Sequence, residues 1–155
     1  MRLFTFLALL GLALPSWAAS PAIFERSARL PADTAYTQLY ESLEKNGFYV
    51  IFEPDMGRTL AGMADKLGAD YNRNQLSTMK SLVFCNPRVT NGIANADPAL
   101  LALCPLHLTL THKDGVSTVY FVRPSLVAAG SPGEAQAKKL EADIVTVIEG
   151  ALNGQ

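Results

Sequence analysis

Hydrophobic positions along the chain fall into three spacings. Residues 3–14, LFTFLALLGLAL, are uncharged and almost continuously apolar. Tyr36, Leu39, Tyr40 and Leu43 recur every three or four positions, as do Met56, Leu60, Met63 and Leu67, and later Leu140, Ile144, Val147 and Ile148. Leu106, Leu108 and Leu110 alternate with His107, Thr109 and Thr111. A helix repeats about every 3.6 residues and a strand every second one. The second spacing therefore predicts helices with one apolar face, and the third a half-buried strand.

Punctuating residues set the boundaries. Asp33 is placed to cap the first helix, and Asn46-Gly47 to end it, because glycine tolerates the left-handed conformation of a helix exit. Phe48–Phe52 (FYVIF) reads as a short buried strand. Pro54-Asp55 opens a second helix carrying the Met56–Leu67 stripe, and Gly68 stops it. Residues 69–77 are a polar loop. Thr78–Cys85 reads as a strand, Pro87 as the first position of a short helix, and Pro98–Ala102 as a further helical turn. Asp114-Gly115 is a turn signal for a hairpin. Its register sets Leu110 against Val119 and Leu108 against Phe121. The other face then pairs Thr111 with Thr118, Thr109 with Tyr120, and His107 with Val122. Ser131, Pro132 and Glu134 form a capping-box pattern before the last helix. The predicted order is α-β-α-β-(α)-β-β-α. That is an α+β layer fold, a single antiparallel or mixed sheet with amphipathic helices.

The apolar run near the start has a different meaning. Arg2 is the only charge before Glu25, Pro15 breaks the run, and Ser16-Trp17-Ala18 leaves it with small residues. A positive start, a short apolar centre and a small-x-small exit predict a secretory signal peptide over residues 1–18, with a cut after Ala18 or Ala19. The run is shorter than the roughly 20 residues that span a bilayer. The expectation is an exported, most simply periplasmic, protein with no membrane span after cleavage and one α+β domain over residues 19–155.

Composition narrows the function. Hydrophobic residues make up 49% and charged residues 17%, enough apolar material for a core and too little charge for a disordered chain. Lys and Arg total 13 against 14 Asp and Glu, so there is no basic footprint for nucleic acid.

Several short segments occur in a recognisable order. Gly47-Phe48 enters a strand. Glu53-Pro54-Asp55 precedes a helix closing on Asp65-Lys66-Leu67-Gly68. Phe84-Cys85-Asn86-Pro87, Asp97-Pro98, Leu103-Cys104-Pro105, the Asp-Gly hairpin and Arg123-Pro124 follow. Together they resemble domain of unknown function family 302 over roughly residues 40–128, and the last helix fits it too. The family usually reads Leu-Pro-Cys before the hairpin, whereas here Cys104 precedes Pro105. The resemblance implies a compact α+β domain, a dimer, and no established reaction.

Candidate chemistry is sparse. Cys85 ends one strand and Cys104 begins another. In an oxidising compartment the pair reads as a disulfide worth roughly 3 kcal/mol. Two reduced, packed thiols, or a reactive or metal-binding pair, are the alternatives. Cys85, Cys104 and His107 together have donors that suit zinc or copper, although no fourth ligand is evident. Haem attachment through Cys-x-x-Cys-His is absent, and axial pairing of His107 with Met56, Met63 or Met79 stays open, although Met56 and Met63 read as core. No cofactor is predicted, with metal or haem left open.

Gly57 and Gly62 lack the following lysine of a phosphate loop. Ser77-Thr78-Met79-Lys80 precedes a strand rather than opening a helix, and no paired acid and base emerges. The residues thus point to a binding module without a catalytic signature, taking a small ligand or a protein partner, and expected as a homodimer. Its ligand-or-interface candidates are His107, Thr109, Thr111, Thr118, Tyr120 and Asn86. A redox or metal accessory protein using Cys85, Cys104 and His107 is the alternative.

Overall fold

The computed structural model describes residues 20–153. The apolar leader and its exit at Ala18 and Ala19 lie outside the described residues. The strands are β1 (Ile23–Ala28), β2 (Tyr49–Phe52), β3 (Thr78–Cys85), β4 (Leu106–Lys113) and β5 (Val116–Val122). They form one sheet in the order β1-β5-β4-β3-β2, with every neighbouring pair antiparallel. The long helices α1 (Ala32–Lys45) and α6 (Glu134–Leu152) supply most of the helical layer. The shorter ones are α2 (Met56–Ala61), α3 (Ala64–Leu67), α4 (Pro87–Ala96) and α5 (Pro124–Val127), and a 3-10 turn spans Pro98–Leu103. This is the expected α+β class, with the sheet wholly antiparallel.

The hairpin has the expected register. Leu108 faces Phe121, Leu110 faces Val119, and Thr109 faces Tyr120. Asp114 (φ 49°) and Gly115 (φ 77°) both take positive φ, as a two-residue turn matching the strand twist requires. Leu106, Leu108, Leu110, Val119 and Phe121 are buried. Leu82 and Phe84 of β3 continue the same face, facing Leu108 and Leu106. Ala35, Leu39 and Leu43 of α1 and Ala137, Leu140, Ile144 and Ile148 of α6 close over it as one core. The Phe48 ring meets Phe84 edge-on, with centroids 5.8 Å apart. Each large side chain fully buried in this layer is worth about 1.5–3 kcal/mol.

Several expectations are corrected. The described chain begins with a strand, β1, absent from the predicted order. It pairs with β5, Phe24 against Phe121 and Glu25 against Tyr120. The FYVIF strand is an edge strand rather than a buried one. Phe48 is buried, but Tyr49, Ile51 and Phe52 are exposed, and the pairing slips between Val50 and Phe52. The predicted Met56–Leu67 helix is broken into α2 and α3, and neither buries a residue. Met56 is half-buried and Met63 is 43% exposed, so the methionine stripe is no part of the core. Here α2 lies against the β3 backbone: a Cβ on Gly57 would sit 3.4 Å from the Met79 amide nitrogen.

Two caps also differ. Pro31 takes the cap position of α1 and Asp33 sits within its first turn, where an acid still complements the helix dipole. At α6, Gly133 holds the cap position and Ser131 makes no capping bond. The Glu134 carboxylate accepts instead from the Gly130 amide, 2.8 Å away.

Candidate functional site

Because the helices cover one sheet face, strand alternation leaves the residues between the core positions on the other. The cross-strand register sorts them into rows. In the first, Ile23 faces Val122, and Val83 lies between His107 and Phe52. In the second, Tyr120 lies between Glu25 and Thr109, and Thr109 faces Ser81. In the third, Thr118 lies between Ser27 and Thr111, and Thr111 faces Met79.

The rows differ in chemistry. Hydroxyls of the polar rows largely satisfy one another. Ser81 Oγ lies 3.2 Å from Thr109 Oγ1, and Ser27 Oγ lies 2.9 Å from Thr118 Oγ1. The first row has no such partners to offer water. Phe52 is 63% and Val122 40% exposed, with His107 exposed in the same row. Tyr49 and Ile51 extend the apolar exposure along the β2 edge. The structure therefore brings His107, Thr109, Thr111, Thr118 and Tyr120 onto one surface, as the sequence indicates. What marks that surface is its apolar row; sequence reasoning missed Phe52 because it took FYVIF as core, and Val83 because it assigned no faces to the Thr78–Cys85 strand.

The cysteine expectations are corrected. Cys85 and Cys104 are free thiols. The Thr90 hydroxyl of α4 lies between them, 3.3 Å from Cys85 Sγ and 3.6 Å from Cys104 Sγ, and each sulfur takes its contact there rather than with the other. The proposed metal trio fails as well: among the described residues no three His, Cys, Asp or Glu side chains converge on a metal position. Both sulfurs meet α4, whereas His107 stands on the exposed sheet face.

The haem pairing of His107 with Met79 meets an obstacle of direction. Met79 faces Thr111, on the same sheet face as His107, so the two side chains leave the sheet side by side and do not oppose each other across a ring.

Asn86 is separated from the other candidates. Its Oδ1 accepts from the Val89 amide at 3.1 Å and caps α4. The residue also lines a cleft of about 640 Å³ on the helical side of the molecule, bounded by α1, α6 and the start of α4. No spacing rule could have found this cleft, because its walls come from three distant segments.

Other polar clusters are structural. The Tyr36 hydroxyl donates to Glu53, and Lys80 Nζ stands 5.1 Å from the Tyr36 ring centroid. Burial, then the Glu53 hydrogen bond and charge, push the Tyr36 phenol well above its ordinary range, so it holds its proton near neutrality. Ser77 Oγ lies 2.7 Å from His112 Nδ1 and also donates to the His112 carbonyl, but no described residue partners Nε2, so no relay extends from the pair. Among the described residues no helix is long and apolar enough to cross a membrane.

Comparisons with known proteins agree with this architecture. No curated protein matches the chain. It is similar to the crystal structure of a conserved DUF302 protein from Bacillus stearothermophilus. The two share 16% identity at a TM-score of 0.72, over 84% of this chain and 98% of that one. At that identity the likeness concerns the fold. The model of the domain of unknown function DUF302 matches residues 24–151 and so takes in β1 and most of α6, well beyond the segments that first suggested it. The chain belongs to the DUF302 family.

Proposed function

We propose that the protein is an exported, non-catalytic binding module whose docking surface is the open sheet face, and that a second copy of the chain occupies it. One observation carries the reading: a row of Phe52, Val83, Val122 and Ile23, in which Phe52 and Val122 are exposed and Val83 and Ile23 half-buried, set beside polar rows in which the Ser27, Thr118, Ser81 and Thr109 hydroxyls are already paired. Apolar surface left beside satisfied polar groups gains most from being covered.

The charge on this face favours a second copy over a charged partner. Glu25 sits on β1, while His107 and Lys113 sit on β4. A two-fold operation can bring the acid of one copy toward the basic groups of the other, and it repeats the same patch on both sides. Five strands present a face of roughly 500 Å² before side-chain relief is counted. A stable interface takes about 800 Å² per partner, so the corrugated face and the β2 edge together are of the right order. Export rests on the apolar run of residues 3–14 and its small-residue exit.

Carbethoxylation of histidine tests the interface. His107 is exposed on the free chain, and free N-acetylhistidine in the same solution serves as the reference. Reactivity of His107 falls relative to N-acetylhistidine as protein concentration rises if the face is self-covering. A constant ratio overturns the reading.

A further inference from the structure

The two edges of the sheet are finished differently. Single bonds at the strand ends fix which way each backbone points. The Ser81 amide donates to the Pro54 carbonyl at 2.9 Å, so Ser81, Val83 and Cys85 turn their backbone groups toward β2. Val50, opposite Phe84, therefore turns its own groups away from the sheet. That outward N–H is already taken, because it donates to Glu44 Oε1 at 2.7 Å. The register slip between Val50 and Phe52 interrupts the rest of the β2 edge.

The β1 edge has no such closure. The Arg123 amide donates to the Ala22 carbonyl at 2.8 Å, so by alternation Phe24, Arg26 and Ala28 carry the bonds to β5. Glu25 and Ser27 then point their N–H and C=O groups outward. Both residues are exposed, and neither amide has a partner among the described residues. The open stretch has defined ends. The Ile23 amide turns back to the Ser20 carbonyl at 2.9 Å, and the Leu30 amide to the Ala28 carbonyl at 3.0 Å.

Charge excludes the simplest occupant. Within Ile23–Ala28, two antiparallel registers let a two-fold mate bond both amides. One sets Glu25 opposite its own symmetry mate, and the other does the same to Arg26. Like charges directly opposite each other destabilise a strand pair. A strand that fits needs the reverse: a base opposite Glu25 and, next to it in the chain, an acid opposite Arg26. Arg26 stands on the helical side, where its Nη2 donates to Asn153 Oδ1.

We propose that β1 receives an extended segment of a different protein, added as a sixth, antiparallel strand, whose neighbouring acidic and basic residues pair with Arg26 and Glu25. Backbone bonds supply the affinity, and the order of the two charges supplies the selectivity. Opposite Ser27 the segment carries a hydroxyl and opposite Ile23 an apolar residue, so that the rows of the open face continue across the edge.

The probe is the peptide acetyl-Thr-Glu-Lys-Val-Val-amide, which meets Ser27 first and Ile23 last. One control exchanges its Glu and Lys, keeping composition and charge. A second control is N-methylated at the Lys, which removes the amide that bonds the Glu25 carbonyl. NMR titration with amide hydrogen exchange gives the readout. The Glu25 and Ser27 amides should gain protection while the Val50 amide is unchanged, and the probe should bind about ten-fold or more tighter than either control. Glu25→Lys, a change at an exposed position, should weaken the probe about ten-fold, and a peptide with Glu in place of its Lys should restore binding. The same protection is expected in Phe52→Glu, so failure of the sheet-face reading leaves this one standing. Unprotected Glu25 and Ser27 amides at saturating probe, or a charge-exchanged control that binds as well, would overturn the proposal. So would protection that rises with protein concentration in the absence of peptide, which would place a second copy on the edge.

Discussion

Arg123, one residue beyond β5, and Glu141, on the second turn of α6, form an ion pair with Nη1 and Oε1 2.7 Å apart. Glu141 also accepts from the Ser125 amide at 3.1 Å, so one carboxylate ties the end of the sheet to both α5 and α6. Burial opposes ionisation of Glu141, but the Ser125 hydrogen bonds and the Arg123 guanidinium outweigh it and hold the carboxyl below its usual range.

The sign of the pH effect follows. A carboxyl with a folded pKa below its unfolded one contributes stability above the ordinary carboxylate range, and that contribution is lost as pH falls through the folded value. Glu141→Gln is expected to cost about 1–2 kcal/mol near neutrality. In urea unfolding at stepped pH, the gap to the parent protein should close in acid. A gap that is constant with pH would show that the charge of Glu141 contributes nothing.

Tyr36 titrates in the opposite sense. Its folded pKa is raised, so the stability from its hydrogen bond to Glu53 is fully present below the ordinary phenol value and is lost as pH rises through the folded one. Tyr36→Phe is expected to cost about 1 kcal/mol near neutrality, with the deficit shrinking only in strong alkali. A variant as stable as the parent at neutral pH would contradict this.

Neighbouring positions on β4 should respond very differently. Leu108 is buried between Leu82 and Phe121, whereas Thr109 shares a hydroxyl contact on the open face. Leu108→Ala is expected to cost about 2–5 kcal/mol in chemical denaturation. Thr109→Ala should cost about 1 kcal/mol. Equal losses would mean that the two faces are not divided as described.

The thiols give a direct count. With Thr90 between them, Cys85 and Cys104 should both react with a thiol reagent once the protein is unfolded without reductant. Losses from Cys85→Ala and Cys104→Ala should be close to additive, apart from coupling through Thr90. A protein that yields no free thiol would contradict the separation seen here.

The hairpin was legible because its pairing is redundant: the register that sets Leu108 on Phe121 also sets Leu110 on Val119, and a slip of one residue spoils both. Strand β1 was not legible. Its inward positions alternate Phe24, Arg26 and Ala28, and Arg26 is accommodated only because Nη2 donates to Asn153 Oδ1, 2.9 Å away at the far end of the chain. The Met56–Leu67 stripe misled for a related reason, since periodicity shows that a helix has an apolar side and not what covers it. The surface holding His107 and Tyr120 could be read from alternation alone. Its apolar row could not, because Phe52 reaches it only through the slip in the β2–β3 pairing. Cysteine spacing suggested a bridge, but the position of Thr90 depends on how α4 packs.

The central claim is that the open sheet face is covered by a second copy. Sedimentation equilibrium of the chain without residues 1–19, beside Phe52→Glu, tests it most directly. Phe52 is 63% exposed, so the substitution leaves the core intact. The account predicts twice the chain mass for the parent at micromolar concentration and a single-chain mass for the variant. A single-chain mass for both, or a dimer that Phe52→Glu leaves unchanged, would contradict it.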